Sequence, residues 1–295
     1  MKKFDMQLFA VDENTVMAAD LARVRDTDFA LRFEADLTTM MKMLGITRKI
    51  EKKAGEVLKV YKVTGTLENG VVAEGEIIPL SQYKTTYEPI GEAVLKKWRK
   101  VTTAEAISEK GYGQAVNDTN GKMLKDIQKG IRGDFMTFMA TGTGVATGAG
   151  LQAVVAQAWG KLQVLFEDTA IQGVYFINPM DAADYLAGAP ITTQTAFGMT
   201  YIENFLGMGT VIMAADVPKG KIYATAAENI VCYYIPVTSS DMAQAFDLVG
   251  DATGLVGIHT GAKYDTMSAE TVAASGVGLF AEMLDGIVVG TIAGA

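Results

Sequence analysis

From Gly55 to Val101, apolar and polar positions alternate with a period of two on either side of a turn-rich middle. Val57, Lys59, Tyr61 and Val63 share one face, Leu58, Val60 and Lys62 share the other, and residues 85–101 return in the same manner. Such alternation among β-branched and aromatic residues predicts two long antiparallel strands. The middle, residues 65–79, holds Gly65, Gly70, Gly75 and Pro79, which predicts an extended tip, not a tight two-residue turn. Each arm exceeds the usual strand length of about 5–6 residues, and a lone two-stranded ribbon is marginal in water. Its open edges invite pairing. The pattern therefore predicts that a neighbouring copy of the chain supplies the missing surface.

Upstream, Leu21, Val24, Phe29, Phe33, Leu37, Met40, Met41 and Leu44 recur at three- and four-residue steps. They predict one helix within an arm, residues 1–54, lying on the main body or on a neighbour; an ordinary first helix of a globular domain is the other reading. After the ribbon, Thr102-Thr103-Ala104-Glu105 has capping-box spacing and predicts a short helix ending at Gly111. Asn117-Asp118-Thr119 offers caps for a longer helix. There Leu124, Ile127, Ile131, Phe135 and Phe138 form one stripe, with Lys122, Lys125, Lys129 and Arg132 largely opposite. Gly130 and Gly133 each cost this helix about 1 kcal/mol against Ala, so either strong packing or the close approach of another backbone must compensate. The run TGTGVATGAG, residues 141–150, then predicts a hinge and the main internal boundary.

Beyond it, Val154, Val155, Ala158, Leu162 and Leu165 mark a second amphipathic helix, and GVYFI, residues 173–177, a buried strand. Asn178-Pro179 supplies an N-cap followed by proline in the first turn. Strands are expected at 210–213, 221–225 and 230–235, the last two as a hairpin turning at Glu228-Asn229. Residues 236–295 read as β-rich, with strands at 255–259, 276–280 and 286–292.

Composition narrows the classes. With 295 residues, 49% hydrophobic and 20% charged, the chain is a folded protein of one or two cores. A single cysteine, Cys232, excludes an internal disulfide. Asp5 and Gln7 interrupt any apolar signal core, and Glu282 and Asp285 interrupt the apolar C-terminal stretch, so a soluble protein made in the cytoplasm, away from membranes, is expected. The net charge of -8 divides into +2 over residues 1–147 and -10 over 148–295. An acidic second half repels nucleic acid and disfavours specific DNA binding.

Candidate chemistry is sparse. The only histidine, His259, and Cys232 both fall in expected strands, where a packing role is commoner than catalysis, and no plausible zinc set exists. The glycine run 142–148 follows a helix and lacks the Gly-Lys-Ser/Thr ending of a phosphate loop. The segment 118–121 lacks the distal glutamate of a calcium loop, Lys129 standing in its place. No catalytic, cofactor-binding or metal residues are expected. The ribbon carries the more informative charges: Glu68, Glu74 and Glu76 near the tip, and Lys96, Lys97, Arg99 and Lys100 at the base of the return strand. One copy's tip over a neighbour's base would bring opposite charges together and fix register. The alternative is that both clusters are merely solvated.

The order of elements resembles the HK97-fold major capsid proteins of tailed bacteriophages, particularly those from phages of Gram-positive bacteria. Local strings carry the resemblance: Ala73-Glu74-Gly75-Glu76-Ile77-Ile78-Pro79-Leu80 in the loop, Lys125-Asp126-Ile127-Gln128-Lys129-Gly130-Ile131-Arg132 on the long helix, and Gly173 to Pro179. Glu270-Thr271, Leu279-Phe280-Ala281-Glu282 and Leu284-Asp285-Gly286 resemble the family's late return. The resemblance spans essentially the whole chain and implies an α+β fold. Its parts would be an N-terminal arm (1–54), an extended β-hairpin E-loop (55–101) and a peripheral domain with its spine helix (102–147). A compact α/β axial domain (148–235) and a return to the peripheral domain (236–295) would follow. It further implies pentamers and hexamers closing into an icosahedral virion shell around double-stranded DNA, made in a bacterial host. A portal and a separate scaffolding protein would be partners, since the long charged N-terminal extension of some members is absent; an already processed chain is the other explanation. Some members crosslink a loop lysine to a neighbour's asparagine, and Lys84 near the tip occupies the corresponding region, though nothing in the sequence demands that bond. Two rivals remain: an encapsulin-type bacterial nanocompartment shell, and a soluble α/β enzyme built on residues 148–235.

Overall fold

The computed structural model describes residues 18–46, 48–166, 171–188, 193–196, 199–237, 241–250 and 254–293. A long helix α1 (Ala18–Leu44) leads through β1 (Lys49–Glu51) into the ribbon strands β2 (Val57–Thr66) and β3 (Gln82–Glu92), then β4 (Lys96–Thr103). Helix α2 (Ala104–Gly113), a π turn (Gln114–Asp118) and α3 (Thr119–Met139) follow. Next come β5 (Gly144–Gly148), α4 (Leu151–Leu165), β6 (Gly173–Ile177), α5 (Pro179–Leu186), β7 (Gln194–Ala196), β8 (Met199–Ile202) and β9 (Gly209–Met213). The chain closes with β10 (Lys221–Ala226), β11 (Ile230–Tyr234), α6 (Asp241–Phe246), β12 (Val249–Gly250), β13 (Val256–Lys263), β14 (Ser268–Ser275), β15 (Gly278–Ala281) and β16 (Ile287–Ile292).

A seven-stranded mixed sheet, ordered β5-β16-β10-β6-β9-β8-β7, forms the centre. Its strand β6 is buried at all five positions. Val174 and Phe176 pack with α1 and α3, while Tyr175 and Ile177 pack with α4 on the other face. Burial on both faces is why GVYFI is continuously apolar and not alternating. The ring of Phe135 on α3 meets Phe176 edge-on at 5.5 Å and 80°, joining the long helix to the sheet. A second sheet, β12-β13-β14-β4, packs on α1, and a third, β1-β11-β15, carries the base of the ribbon.

Helix α1 is core, not arm. Phe33, Leu37, Met40 and Leu44 are almost completely buried at the four-, three- and four-residue steps that keep them on one face. Asp26, also buried, accepts hydrogen bonds from the Thr260 amide (2.8 Å) and hydroxyl (2.7 Å) on β13, and Asp36 accepts one from Gln128 on α3 at 2.7 Å. Of the two sequence readings, the ordinary first helix packed on its own body holds over residues 26–44; residues 1–17 lie outside the described residues.

Four local expectations need correction. The helix cap is Thr103, whose side chain accepts from the Ala106 amide; Thr102 instead ends β4 facing inward. The run 141–150 is not a hinge: β5 lies parallel to β16, and a Cβ on Gly142 or Gly144 would come within 3.0 Å of the Ile287 carbonyl. Those glycines serve close backbone approach. Strands β10 and β11 do not form a hairpin. Asn229 exchanges hydrogen bonds with the Met283 amide and carbonyl (2.8 and 3.0 Å), sending β11 to the other sheet. Finally, β16 sits beside β10, so the last strand returns to the sheet built from residues 173–226. By contrast, Asn178 caps α5 as expected, accepting from the Met180 amide at 2.9 Å with Pro179 in the first turn.

If α1 is a structural core element, Phe33→Ala lowers unfolding stability by about 3–5 kcal/mol in a denaturant titration. A loss below about 1 kcal/mol would mean that the helix only rests on the body.

Candidate assembly surface

The ribbon is anchored at one end only. Leu58 and Ala93 are buried with Val231, Ile235 and Phe280, and the Gly55 and Ala93 amides donate to the Ala93 and Glu56 carbonyls at 2.9 Å each. Above that anchor, β2 and β3 pair antiparallel from Lys59↔Pro89 to Thr66↔Gln82, with an irregularity between Leu58 and Lys59. Every β3 position except Ile90 is exposed. Lys59 lies 4.8 Å from the Tyr87 ring centroid, a contact across the ribbon's own ladder. Along β3 the alternating pattern therefore builds a strand without a core beneath it.

At the tip, residues 73–76 turn through Gly75 at φ 85°, and the Glu76 amide donates to the Ala73 carbonyl at 3.1 Å. The positive φ at the third turn position is why glycine stands there. Glu68, Glu74 and Glu76 are all exposed and make no ion pair among the described residues. Around them, Leu67, Val71, Ile77, Ile78 and Leu80 are 69–94% exposed. Sequence reading singled out the tip carboxylates and missed these aliphatics; five large aliphatic residues in a glycine-rich tip were the available signal. Exposed apolar clusters of this kind mark contact surfaces.

The return segment divides, contrary to the expectation of one long strand over 85–101. Pairing with β2 ends at Glu92, and β4 is the edge of the four-stranded sheet, paired along its length with β14. Lys96, Lys97, Arg99 and Lys100 thus belong to the body. Lys96 pairs with Asp134 of α3. Arg99 reaches Glu270 with both Nε (2.5 Å) and Nη2 (3.1 Å). Lys97 is exposed. Lys100 points inward, where its Nζ donates to the Val116 carbonyl (3.1 Å), to Thr119 Oγ1 (2.6 Å) and to Asn120 Oδ1. Three acceptors match the three donors of an ammonium, and they sit where the chain passes through the π turn into α3. Burial without a carboxylate partner pushes the Lys100 pKa down to about 8. Charge reversal here would disturb the fold itself.

The remaining candidate groups are structural. Cys232 is fully buried in β11, and burial pushes its thiol up to about 12, far from the thiolate a nucleophile needs. His259 Nδ1 lies 3.1 Å from the Asp247 carbonyl oxygen and 3.7 Å from its carboxylate, just past the end of α6. Among the described residues, no group of three His, Cys, Asp or Glu side chains is placed to hold a metal ion. No helix there is long and apolar enough to cross a membrane. An open cleft of about 510 Å³ beside Trp159 contains Lys42, Glu203 and two glutamines.

No protein-family model and no curated protein sequence matches the chain. Solved structures do. The virus-like particle from Pyrococcus furiosus matches at 13% identity and TM-score 0.53, over 90% of this chain and 97% of that one. A protein of Gordonia phage Cozz matches at 9% and 0.59, over 87% of each. The mature capsid of bacteriophage PhiM1 matches at 6% and 0.52, over 84% of this chain and 86% of that one.

The Lys100 site predicts a pH signature. Between about pH 8 and the usual lysine value of 10.5, the unfolded chain holds more protons than the folded one, so this group makes stability rise with pH across that window. In chemical denaturation at pH 7.5, 9 and 10, Lys100→Met should lose that upward component relative to the unmodified chain. Parallel pH profiles would refute it.

The long helix against a mixed sheet, the extended hairpin anchored at its base and the near-complete mutual coverage with these particles establish the α+β, HK97-like capsid fold for this chain.

Proposed function

We infer that the protein is the subunit of a self-assembling icosahedral shell: a phage head protein that encloses double-stranded DNA. Five or six copies would form each capsomer, with residues 148–235 at its axis and the hairpin of 55–101 lying over an adjacent subunit. The observation that carries this reading is the ribbon. Strands of 10 and 11 residues project with an aliphatic tip in water, a structure that is marginal unless another molecule covers it. Many identical contacts, each weak, close a shell reversibly. An acidic second half suits a wall that does not cling to the DNA it contains. The role is structural, not enzymatic. A separate scaffolding protein and a portal are the expected partners, and the virion its location.

A nanocompartment shell around an enzyme cargo is the second reading, since the uncovered ribbon would serve either kind of container. A soluble enzyme would draw on Cys232, whose thiol is buried, or on His259, which lies against Asp247, and neither arrangement supports that reading.

Expression of the chain alone, followed by light scattering and negative-stain electron microscopy, tests the reading. Shell-sized particles, closed or aberrant, are expected, and uniform closed shells from the lone chain would favour the nanocompartment. Replacing residues 67–81 by a short Gly-Ser turn should leave the melting temperature of the unassembled chain unchanged while abolishing particles. A monomeric unmodified chain, or normal particles from the shortened one, would refute the proposal.

A further inference from the structure

The acidic tip carries several carboxylates, and the base of the ribbon offers them only Lys97 free of an ion pair among the described residues, because Lys96, Arg99 and Lys100 are engaged inside their own chain. The outward face of α3 offers two. Lys122, Lys125, Asp126, Lys129, Gly130 and Asp134 are exposed there. Lys122 is paired with Asp126 at 2.6 Å and Asp134 with Lys96. That leaves Lys125 and Lys129 without an ion pair among the described residues.

We propose that the outward face of α3 is the seat for the ribbon tip of a second copy of this chain, with Lys125 and Lys129 receiving Glu74 and Glu76. This rests on the shell reading and assigns the surface that the tip occupies. Each side presents two like charges close together. Lys125 and Lys129 are one helical turn apart on one face, about 6 Å along the axis. Glu74 and Glu76 stand at the second and fourth positions of the 73–76 turn, on either side of Gly75, and the Glu76 carboxylate also accepts from the Ala73 amide at 3.3 Å.

The helix is also shaped for a close neighbour. A Cβ built on Gly130 or Gly133 meets nothing within 4 Å, so its own chain gives no steric reason for glycine at either position. Each nevertheless weakens α3 by about 1 kcal/mol against Ala. An incoming backbone supplies the reason, because only glycine leaves the helix surface bare enough for a loop to lie on it. The aliphatics beside the tip carboxylates would then cover that bare backbone. Tip and helix face are different surfaces, so the contact is heterologous and passes around a ring from copy to copy.

The test is a charge exchange read by particle yield, with the unmodified chain as reference. Glu74→Lys/Glu76→Lys and Lys125→Glu/Lys129→Glu should each lower the yield about tenfold or more, since the loss recurs at every interface. Their melting temperatures as unassembled chains should match the reference. The four-substitution chain should recover assembly. Failure of the combination to recover, or normal assembly by either charge-reversed pair, would overturn the contact while leaving the shell reading intact. An unmodified chain that forms no shells would instead remove the shell reading and this contact together. Gly130→Leu gives an independent readout: it should raise the melting temperature of the isolated chain yet lower particle yield. Normal yield would again overturn the proposal.

Discussion

A two-stranded antiparallel ladder has no interior. Each strand pairs along one edge only, and both faces stand in water, so hydrogen bonding alone must offset the entropy of ordering the strands. In this chain the ladder runs ten residue pairs from a base fastened by Leu58 and Ala93. Its far end presents Ile77 and Leu80, each 94% exposed. The cost of displaying that surface would be offset only where another molecule covers it. The body below is organised to hold the ribbon's base while leaving its length free.

That body keeps its apolar groups inside by a layered arrangement. The central sheet is covered on one face by α1 and α3 and on the other by α4. Buried polar groups act as fasteners between layers: Asp26 joins α1 to β13, and Asn229 joins β11's turn to the chain near Met283. Each is buried with its hydrogen-bonding capacity used, the condition under which a polar group is tolerated in a core. Strand β16 ties the end of the chain into the same sheet, so segments separated by more than a hundred residues close one core.

Charge is divided between internal and external duties. Lys100 binds the carbonyl and side-chain oxygens at the start of α3, Arg99 braces β4 against β14 and Lys96 braces β4 against α3. These are cations of a folded body, whereas the tip carboxylates make no ion pair among the described residues, Glu76 accepting only the Ala73 amide. In sequence the two clusters look equivalent, short runs of one sign on one ribbon. Only pairing β4 with β14 separates them, because that places the cations beside Glu270 of β14 and Asp134 of α3.

Local pattern carried much of the architecture. Alternation announced the ribbon, three- and four-residue steps announced α1, α3 and α4, and Asn178-Pro179 announced the start of α5, because these signals arise from backbone geometry within a few residues. The resemblance in element order likewise pointed to the capsid fold that the structural neighbours bear out. What the chain could not announce were relations across distance. Glycines that let β5 approach β16 look the same in sequence as glycines that make a hinge. A turn at Asn229 looks like a hairpin until its partner at Met283 is in place. The break between β3 and β4 is invisible while both read as alternating strand. Short-range sterics therefore determined which segments become helix or strand, and tertiary packing decided which strand pairs with which, since pairing energy depends on partners that sequence proximity does not identify.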